Sequence, residues 1–321
     1  MARPIAVVGT PSSIGIRPYD DGEARHLNRA PAVLRERGLI ERLGAIDLGD
    51  VGPPPYQDYI RPPGRARNEQ QVVVYSRSVA ERVAAATAYG QFGLVLGGDC
   101  SIVLGCLLGS RRTTGGPVGL VYLDAHADFA TPGESRTGSV ASMSLALASG
   151  RGDSPLARLA GRVPLVDGQH VALMGRRDLA EAWYGHTALA ASPILDLTDS
   201  EVMARGFDDL IAASLARVAA PDVRGFWIQI DTDVLNPALM FAVDSPEPGG
   251  LMPAELAELV APLVRHPHAL GLSLTSYDPA LDPDRSCARR LVRLLESLLV
   301  HPEADLHEDG IAPARHRAER A

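Results

Sequence analysis

Short β-branched or aliphatic runs alternate with longer amphipathic stretches along almost the whole chain, and this alternation leaves few folds open. The apolar runs are Ile5–Val8, Ile46–Leu48, Gly93–Leu96, Val118–Leu123, His170–Met174, Ile194–Leu195, Gly225–Ile230 and Ala269–Leu274. Between them, helical periodicity marks Ala30–Leu43, Glu69–Tyr89, Ser101–Ser110, Ala141–Ala148, Glu201–Ala219, Pro253–Arg265 and Asp284–Leu299. Continuous apolar strands separated by helices belong to a parallel sheet covered on both faces. The expected fold is therefore α/β, a three-layer single domain whose eight strands form one central sheet.

The chain has 321 residues, 46% of them hydrophobic, enough to bury a full core. No low-complexity linker divides it, and the Pro-rich stretch Gly52–Arg67 reads as a surface loop. One domain is expected over 1–299, followed by a polar tail, 300–321, that is frayed or used in assembly. All 31 basic residues are Arg against 39 acidic ones, a net charge of −8. That balance argues against a nucleic-acid partner, and the absence of lysine excludes Schiff-base and P-loop chemistry. Three cysteines without CxxC spacing fit a reducing compartment, so the cytoplasm is expected. The N-terminal apolar run is broken by Gly9 and Pro11, and no window reaches the roughly 18 apolar residues of a membrane span.

Chemistry in such sheets gathers at the carboxyl ends of the strands. Three of those ends are acidic. The first reads Gly97-Gly98-Asp99-Cys100-Ser101. Taken alone it is a tight strand-to-helix turn, with Asp99 or Ser101 as cap and Cys100 as a small buried side chain. The second, Asp124-Ala125-His126-Ala127-Asp128, puts three ionisable side chains at i, i+2, i+4 on one side of an extended segment. Such groups at a buried strand end point to divalent metal more than to capping carboxylates. The third, Asp231-Thr232-Asp233, repeats the i, i+2 spacing, and two like charges so placed repel unless a cation lies between them.

In this order and at these separations, the three segments resemble the metal motifs of the arginase, agmatinase and formimidoylglutamase family of ureohydrolases. The resemblance extends to GTPSSIG, RAPAVLRERGL, SPEPGGL and SYDPALDPD, and so covers about residues 5–299. It implies an arginase-like sheet and a pair of Mn²⁺ ions that deprotonate a bridging water, which attacks a guanidino, amidino or formimidoyl carbon. Carried over, Asp124 and Asp231 would bridge the ions. His126 and Asp233 would complete one site, Asp128 and Cys100 the other. Asp128 would also take the proton of the attacking hydroxide, which makes Asp128 and His126 the catalytic candidates. Family members usually form homo-oligomers, and the same is expected here.

Departures from the family pattern shape the expected substrate. Cys100 stands where the family has His, and a thiolate shifts preference toward Zn²⁺, Co²⁺ or Fe²⁺. Asn236 replaces an Asp, a change expected to alter how Asp231 or Asp233 is held. Ala141-Ser142 replace the His-Gly of the proton shuttle, and neutral Ser276 replaces the Glu that pairs with a guanidinium. Asp244 could supply a carboxylate from the opposite wall, or serve as a turn residue in Asp-Ser-Pro. Ala130 and Ser139 occupy the positions that read an α-amino acid, which disfavours arginine. Thr137, Ser139, Asp244 and Ser276 are the substrate-facing candidates, with Glu134 and Arg136 as further polar residues on the same loop. The expected activity is hydrolysis of a linear non-peptide C–N bond in a small molecule other than arginine. The alternatives are an inactive metal-binding relative, or a mononuclear deacylase-like enzyme using Asp124, His126 and Asp233. Trp183 reads as core, Trp227 as core or pocket wall, His186 as having no partner spacing that suggests metal ligation, and Cys106 and Cys287 as structural thiols.

Overall fold

A computed structural model describes residues 3–58, 60–180 and 182–301. The expected tail, with His307 and His316, lies outside the described residues but for its first two positions. All eight expected strands form: β1 Ile5–Gly9, β2 Ile46–Asp50, β3 Phe92–Leu96, β4 Gly119–Leu123, β5 Val171–Arg176, β6 Leu195–Thr198, β7 Phe226–Asp231 and β8 Ala269–Thr275. They make a single sheet in the order β2-β1-β3-β8-β7-β4-β5-β6, every pair parallel. The six inner strands are the apolar ones, whereas β2 and β6 at the edges are half-exposed. That is why β6 runs three residues beyond the apolar pair Ile194–Leu195.

Ten helices cover the sheet among the described residues: α1 Ala30–Glu36, α2 Leu39–Leu43, α3 Glu69–Ala86, α4 Ile102–Thr114, α5 Ser144–Ala148, α6 His186–Ala190, α7 Asp199–Ala204, α8 Phe207–Val218, α9 Pro253–Arg265 and α10 Ser286–Leu299. Two expected helices are each split. Gly38 at φ 80° separates α1 from α2, and the extended Arg205-Gly206 pair separates α7 from α8. The short α6 has no counterpart in the periodicity. No helix among the described residues is long and apolar enough to cross a membrane.

Strand side chains alternate between two cores. Leu94, Leu96, Val121, Leu123, Ile228 and Ile230 pack with α1, α2 and α8 to α10. Val95, Leu120, Tyr122 and Trp227 pack with α3 to α5 on the other face. Helix α4 is buried on all sides from Ile102 to Ser110, because Gly105 and Gly109 let α3 lie directly on its backbone. Trp227 needs similar room: its ring crosses Gly271 on the neighbouring β8 and Gly93 on β3 beyond it. It also begins a buried polar ladder, Trp227 Nε1 donating to Ser273 Oγ (2.8 Å), Ser273 to Gln229 Oε1, and Gln229 Nε2 to Thr275 Oγ1 (2.6 Å). Trp227 is thus core and does not reach the pocket.

A Cβ at Gly271 would overlap both the Gly93 carbonyl and the Trp227 ring. Gly271→Ala is expected to lower the unfolding free energy by about 1–3 kcal/mol in chemical denaturation, the usual range for overfilling a packed interior. An unchanged midpoint would show that the layer relaxes freely.

Candidate metal centre

The carboxyl ends of β3, β8, β7 and β4, consecutive neighbours in the sheet, open onto a cavity of about 260 Å³. After β3 the chain turns at Gly97-Gly98, where a side chain on Gly98 would strike the Ser12 carbonyl. Asp99 is fully buried and anchors this turn, accepting from Ser101 N (3.0 Å) and Gly15 N (3.1 Å). Ser101, not Asp99, is the N-cap residue of α4, and its side chain makes no cap hydrogen bond; Asp99 instead braces the turn before the helix. Cys100, next in the chain, projects into the cavity, where its thiol donates to Asp231 Oδ2 at 2.5 Å and lies 3.3 Å from the hydroxyls of Thr275 and Ser276.

The segment after β4 is not extended throughout, as its spacing suggested. Asp128 adopts φ 47°, a left-handed conformation that turns the chain back, and Tyr122 donates to its Oδ2 at 2.7 Å. His126 Nδ1 stands 3.0 Å from Asp233 Oδ2 and 3.3 Å from Asp124 Oδ1. Main-chain donors fix the carboxylates: His126 N to Asp124 (2.7 Å), Ala125 N to Asp233 (3.1 Å) and Asp233 N to Asp231 (3.0 Å). Two triads, Cys100–Asp124–Asp128 and Asp124–His126–Asp233, each bring their ligand atoms within 4.8 Å of one another, with Asp124 common to both.

Four buried carboxylates here face a single imidazole. Burial, followed by the charge of Asp233, pushes the Asp124 carboxyl up to about 7. Burial and the neighbouring aspartates also hold Asp231 and Asp128 well above the ordinary carboxylate range. Burial opposes charge on His126 as well, but Asp233 and Asp124 outweigh it and raise the imidazole; in turn His126 holds Asp233 low despite its burial. Burial first, then Asp231, pushes the Cys100 thiol up. Such a cluster is balanced either by protons or by cations. Its oxygen, imidazole and sulfur donors suit divalent transition metals, so the residues fit the ions that the motifs imply.

The substrate-facing candidates line the same cavity. Thr137, Ser139, Ala141 and Ser142 form one wall, where the Ser139 hydroxyl already accepts Arg17 N (3.0 Å). Ser276, at φ 66°, sits at the deep end and donates to Asp231 at 2.5 Å. Asp244 lines the opposite wall but is paired with Arg25 at 2.8 Å, both side chains only 9% exposed. Glu134 turns away to Arg151, and Ala130 is buried off the cavity. Asn236 caps its own turn through Ala238 N; none of its hydrogen bonds among the described residues reaches Asp231 or Asp233. Several cavity residues escaped sequence reasoning. Trp183, read as core, stacks on Tyr184 at 4.1 Å between ring centres, and Tyr184 lies 5.6 Å from His126. The adjacent aromatic pair just beyond a strand end was the available signal. Arg25 gave none, since its partner is 219 positions away. His186 lies outside both triads, with its Nε2 3.2 Å from Asp178 Oδ2.

The model of the arginase family matches residues 4–301. The arginase of Bacillus subtilis (strain 168) is 29% identical over 305 residues, which covers 93% of this chain and 98% of that protein. The native structure of arginase from Bacillus caldovelox superposes with a TM-score of 0.80 at 27% identity, over 93% of this chain and 98% of that one. The formimidoylglutamase structure from Bacillus subtilis subsp. subtilis str. 168 shares the fold, with a TM-score of 0.69 at 21% identity over 92% and 86% of the two chains. With a match over nearly its full length, this chain belongs to the arginase family of metal-dependent ureohydrolases.

Proposed function

We propose that the chain hydrolyses a linear C–N bond in a guanidino, amidino or formimidoyl compound other than arginine, using two divalent ions held by Cys100, Asp124, His126, Asp128, Asp231 and Asp233. The observation that carries this reading is the convergence of these six side chains on one cavity, five of them in two triads that share Asp124 and the sixth, Asp231, beside Cys100. When bound, the ions would supply Lewis acidity and lower the pKa of a coordinated water molecule. Asp128 is the residue that takes up the proton of the attacking water and returns it to the departing nitrogen. Its Oδ2 is occupied by Tyr122, which fixes the carboxyl while Oδ1 remains for this transfer. Its left-handed backbone is strain of the kind found at functional sites. His126 is held between Asp124 and Asp233, and no second imidazole stands at Ala141-Ser142 to relay protons.

Three features support a substrate other than arginine. Ser276 offers no charge to a guanidinium, Asp244 is already neutralised by Arg25, and the Ser139 hydroxyl is engaged by Arg17 N. The relatives named arginases favour a second reading, arginine itself. Mn²⁺ is the proposed metal, with Zn²⁺, Co²⁺ and Fe²⁺ admitted by Cys100. A homo-oligomer in the cytoplasm completes the proposal, supported by three buried free cysteines that suit a reducing compartment.

Metal analysis of the loaded protein should give close to two ions per chain. A panel of guanidino, amidino and formimidoyl compounds that includes arginine should then yield turnover on a member other than arginine, and Asp128→Asn should slow it by about 10²–10⁴-fold without loss of fold. Fastest turnover on arginine overturns the substrate reading alone; a single ion supports the mononuclear alternative. Cys100→His should shift metal preference toward Mn²⁺ in competition binding, and an unchanged preference means that Cys100 is not a ligand.

The raised carboxyls also fix a sign for stability. The metal-free fold retains protons on Asp124, Asp128 and Asp231 that the unfolded chain sheds near pH 4, so its stability falls as pH rises through about 7. His126 works in the same direction, while the lowered Asp233 contributes only at the acid end. Melting temperatures of metal-free protein should decline from about pH 5 to about pH 8, and saturating Mn²⁺ should remove the decline.

A further inference from the structure

Strand β5 contributes no proposed ligand, yet Arg177 and Asp178, just past its carboxyl end, touch the turns that follow β4 and β7. Arg177 is a cation without an ion-pair partner among the described residues. Its guanidinium instead donates to a fan of carbonyls: Asp233 O at 2.6 Å, and Val234 O, Leu235 O and Gly175 O each at 3.3 Å. It reaches them past Gly250, at φ 94°, where a Cβ would fall on both Val234 O and Arg177 Nη2. The backbone N–H of Arg177 donates to Ala125 O at 2.8 Å. Asp178, fully buried, accepts the N–H of Ala127 at 2.8 Å, between His126 and Asp128. Behind it stand Arg176 Nη1 at 3.5 Å and His186 Nε2 at 3.2 Å, and Arg176 is itself held by a two-pronged pair with Asp196 at 2.6 Å.

We propose that Arg177 and Asp178 form a bracket that sets the separation between the Asp124–Asp128 turn and the Asp231–Asp233 turn, and with it the fit of the metal ions. The bracket rests on the metal-centre reading above. Its physical basis is reach. Neighbouring parallel strands fix each other only up to their last ladder bond; Asp231 is the last paired residue of β7, and Asp233, His126 and Asp128 lie beyond the ladder. A planar fork spanning consecutive carbonyls holds the β7 turn from one side. A carboxylate bound to a main-chain N–H holds the β4 turn from the same strand end. Both turns are thereby referred to one rigid point. Arg177 and Asp178 touch no reacting atom, so they are positioning residues.

Full-length metal-free protein titrated with Co²⁺ tests this, with binding read by absorption and fold by circular dichroism and melting. Arg177→Met and Asp178→Ala should each weaken Co²⁺ binding about tenfold to a hundredfold, as loss of groups that orient metal ligands does elsewhere, and should alter the Co²⁺ spectrum while the metal-free fold persists. Asp178→Asn keeps an acceptor for the Ala127 N–H and should bind closer to the unaltered protein than Asp178→Ala. Should Arg177→Met not fold, Arg177→Lys, which keeps the charge and loses the fork, is read the same way. Folded variants with unchanged affinity and spectrum overturn the bracket and leave the metal centre standing. An unaltered protein that binds no Co²⁺ overturns the metal-centre reading, and the bracket with it.

Discussion

Four carboxylates buried around one imidazole set the terms on which this chain folds. Desolvation alone makes such a cluster unfavourable, and each aspartate raises the cost of ionising the next. The surrounding structure responds with donors. Main-chain N–H groups cap Asp124, Asp231 and Asp233, a tyrosine caps Asp128, and the Cys100 thiol and Ser276 hydroxyl both donate to Asp231. What donors cannot supply is positive charge. Apart from the imidazole itself, the buried Arg25 guanidinium at the cavity wall is paired with Asp244, and Arg177 faces carbonyls instead. The deficit is what defines the centre chemically.

The sheet makes that concentration of charge tolerable by placing it where backbone is most rigid. The proposed ligands come from β3, β4 and β7, and β8 between two of these carries Ser276. Beneath Asp231 the ladder from Trp227 through Ser273 and Gln229 to Thr275 runs on the same face of β7 and β8, in register, and ends against the Cys100 sulfur. Buried polar chains of this kind are stable only when every member is satisfied, and here each is. The ladder links a hydrophobic layer to the floor of the site without leaving an orphaned group.

Much of this was legible in the sequence because it is local. Each inner strand announces itself as an apolar run, and each ligand turn follows its strand within a few residues, so the eight strands and all six proposed ligands could be named. The misses share one cause: they depend on contacts between distant segments. Strand β6 was placed short because an edge strand has a solvent-facing side. The Asp128 turn was read as extended because its left-handed conformation is imposed by tertiary packing, not by residue type. The pairing of Asp244 with Arg25 joins residues more than two hundred positions apart, and the contact of Asp178 with Ala127 crosses fifty-one. Asp178 belongs to an ordinary-looking Arg-Arg-Asp, with nothing in its own segment to show that it closes on a neighbouring strand.

Placement on the central strands has a kinetic consequence. Edges, termini and loops of a protein open locally and often, whereas inner strands open only with the whole molecule. Ligands rooted at the ends of inner strands therefore do not loosen one by one. An ion held there as proposed would leave through the mouth of the cavity, past Trp183, Tyr184 and the Arg25–Asp244 pair, rather than by fraying of the protein beneath it. For a metal so held, the rim would share with the ligands in setting how fast the ion exchanges with solution, although its residues bind no metal themselves.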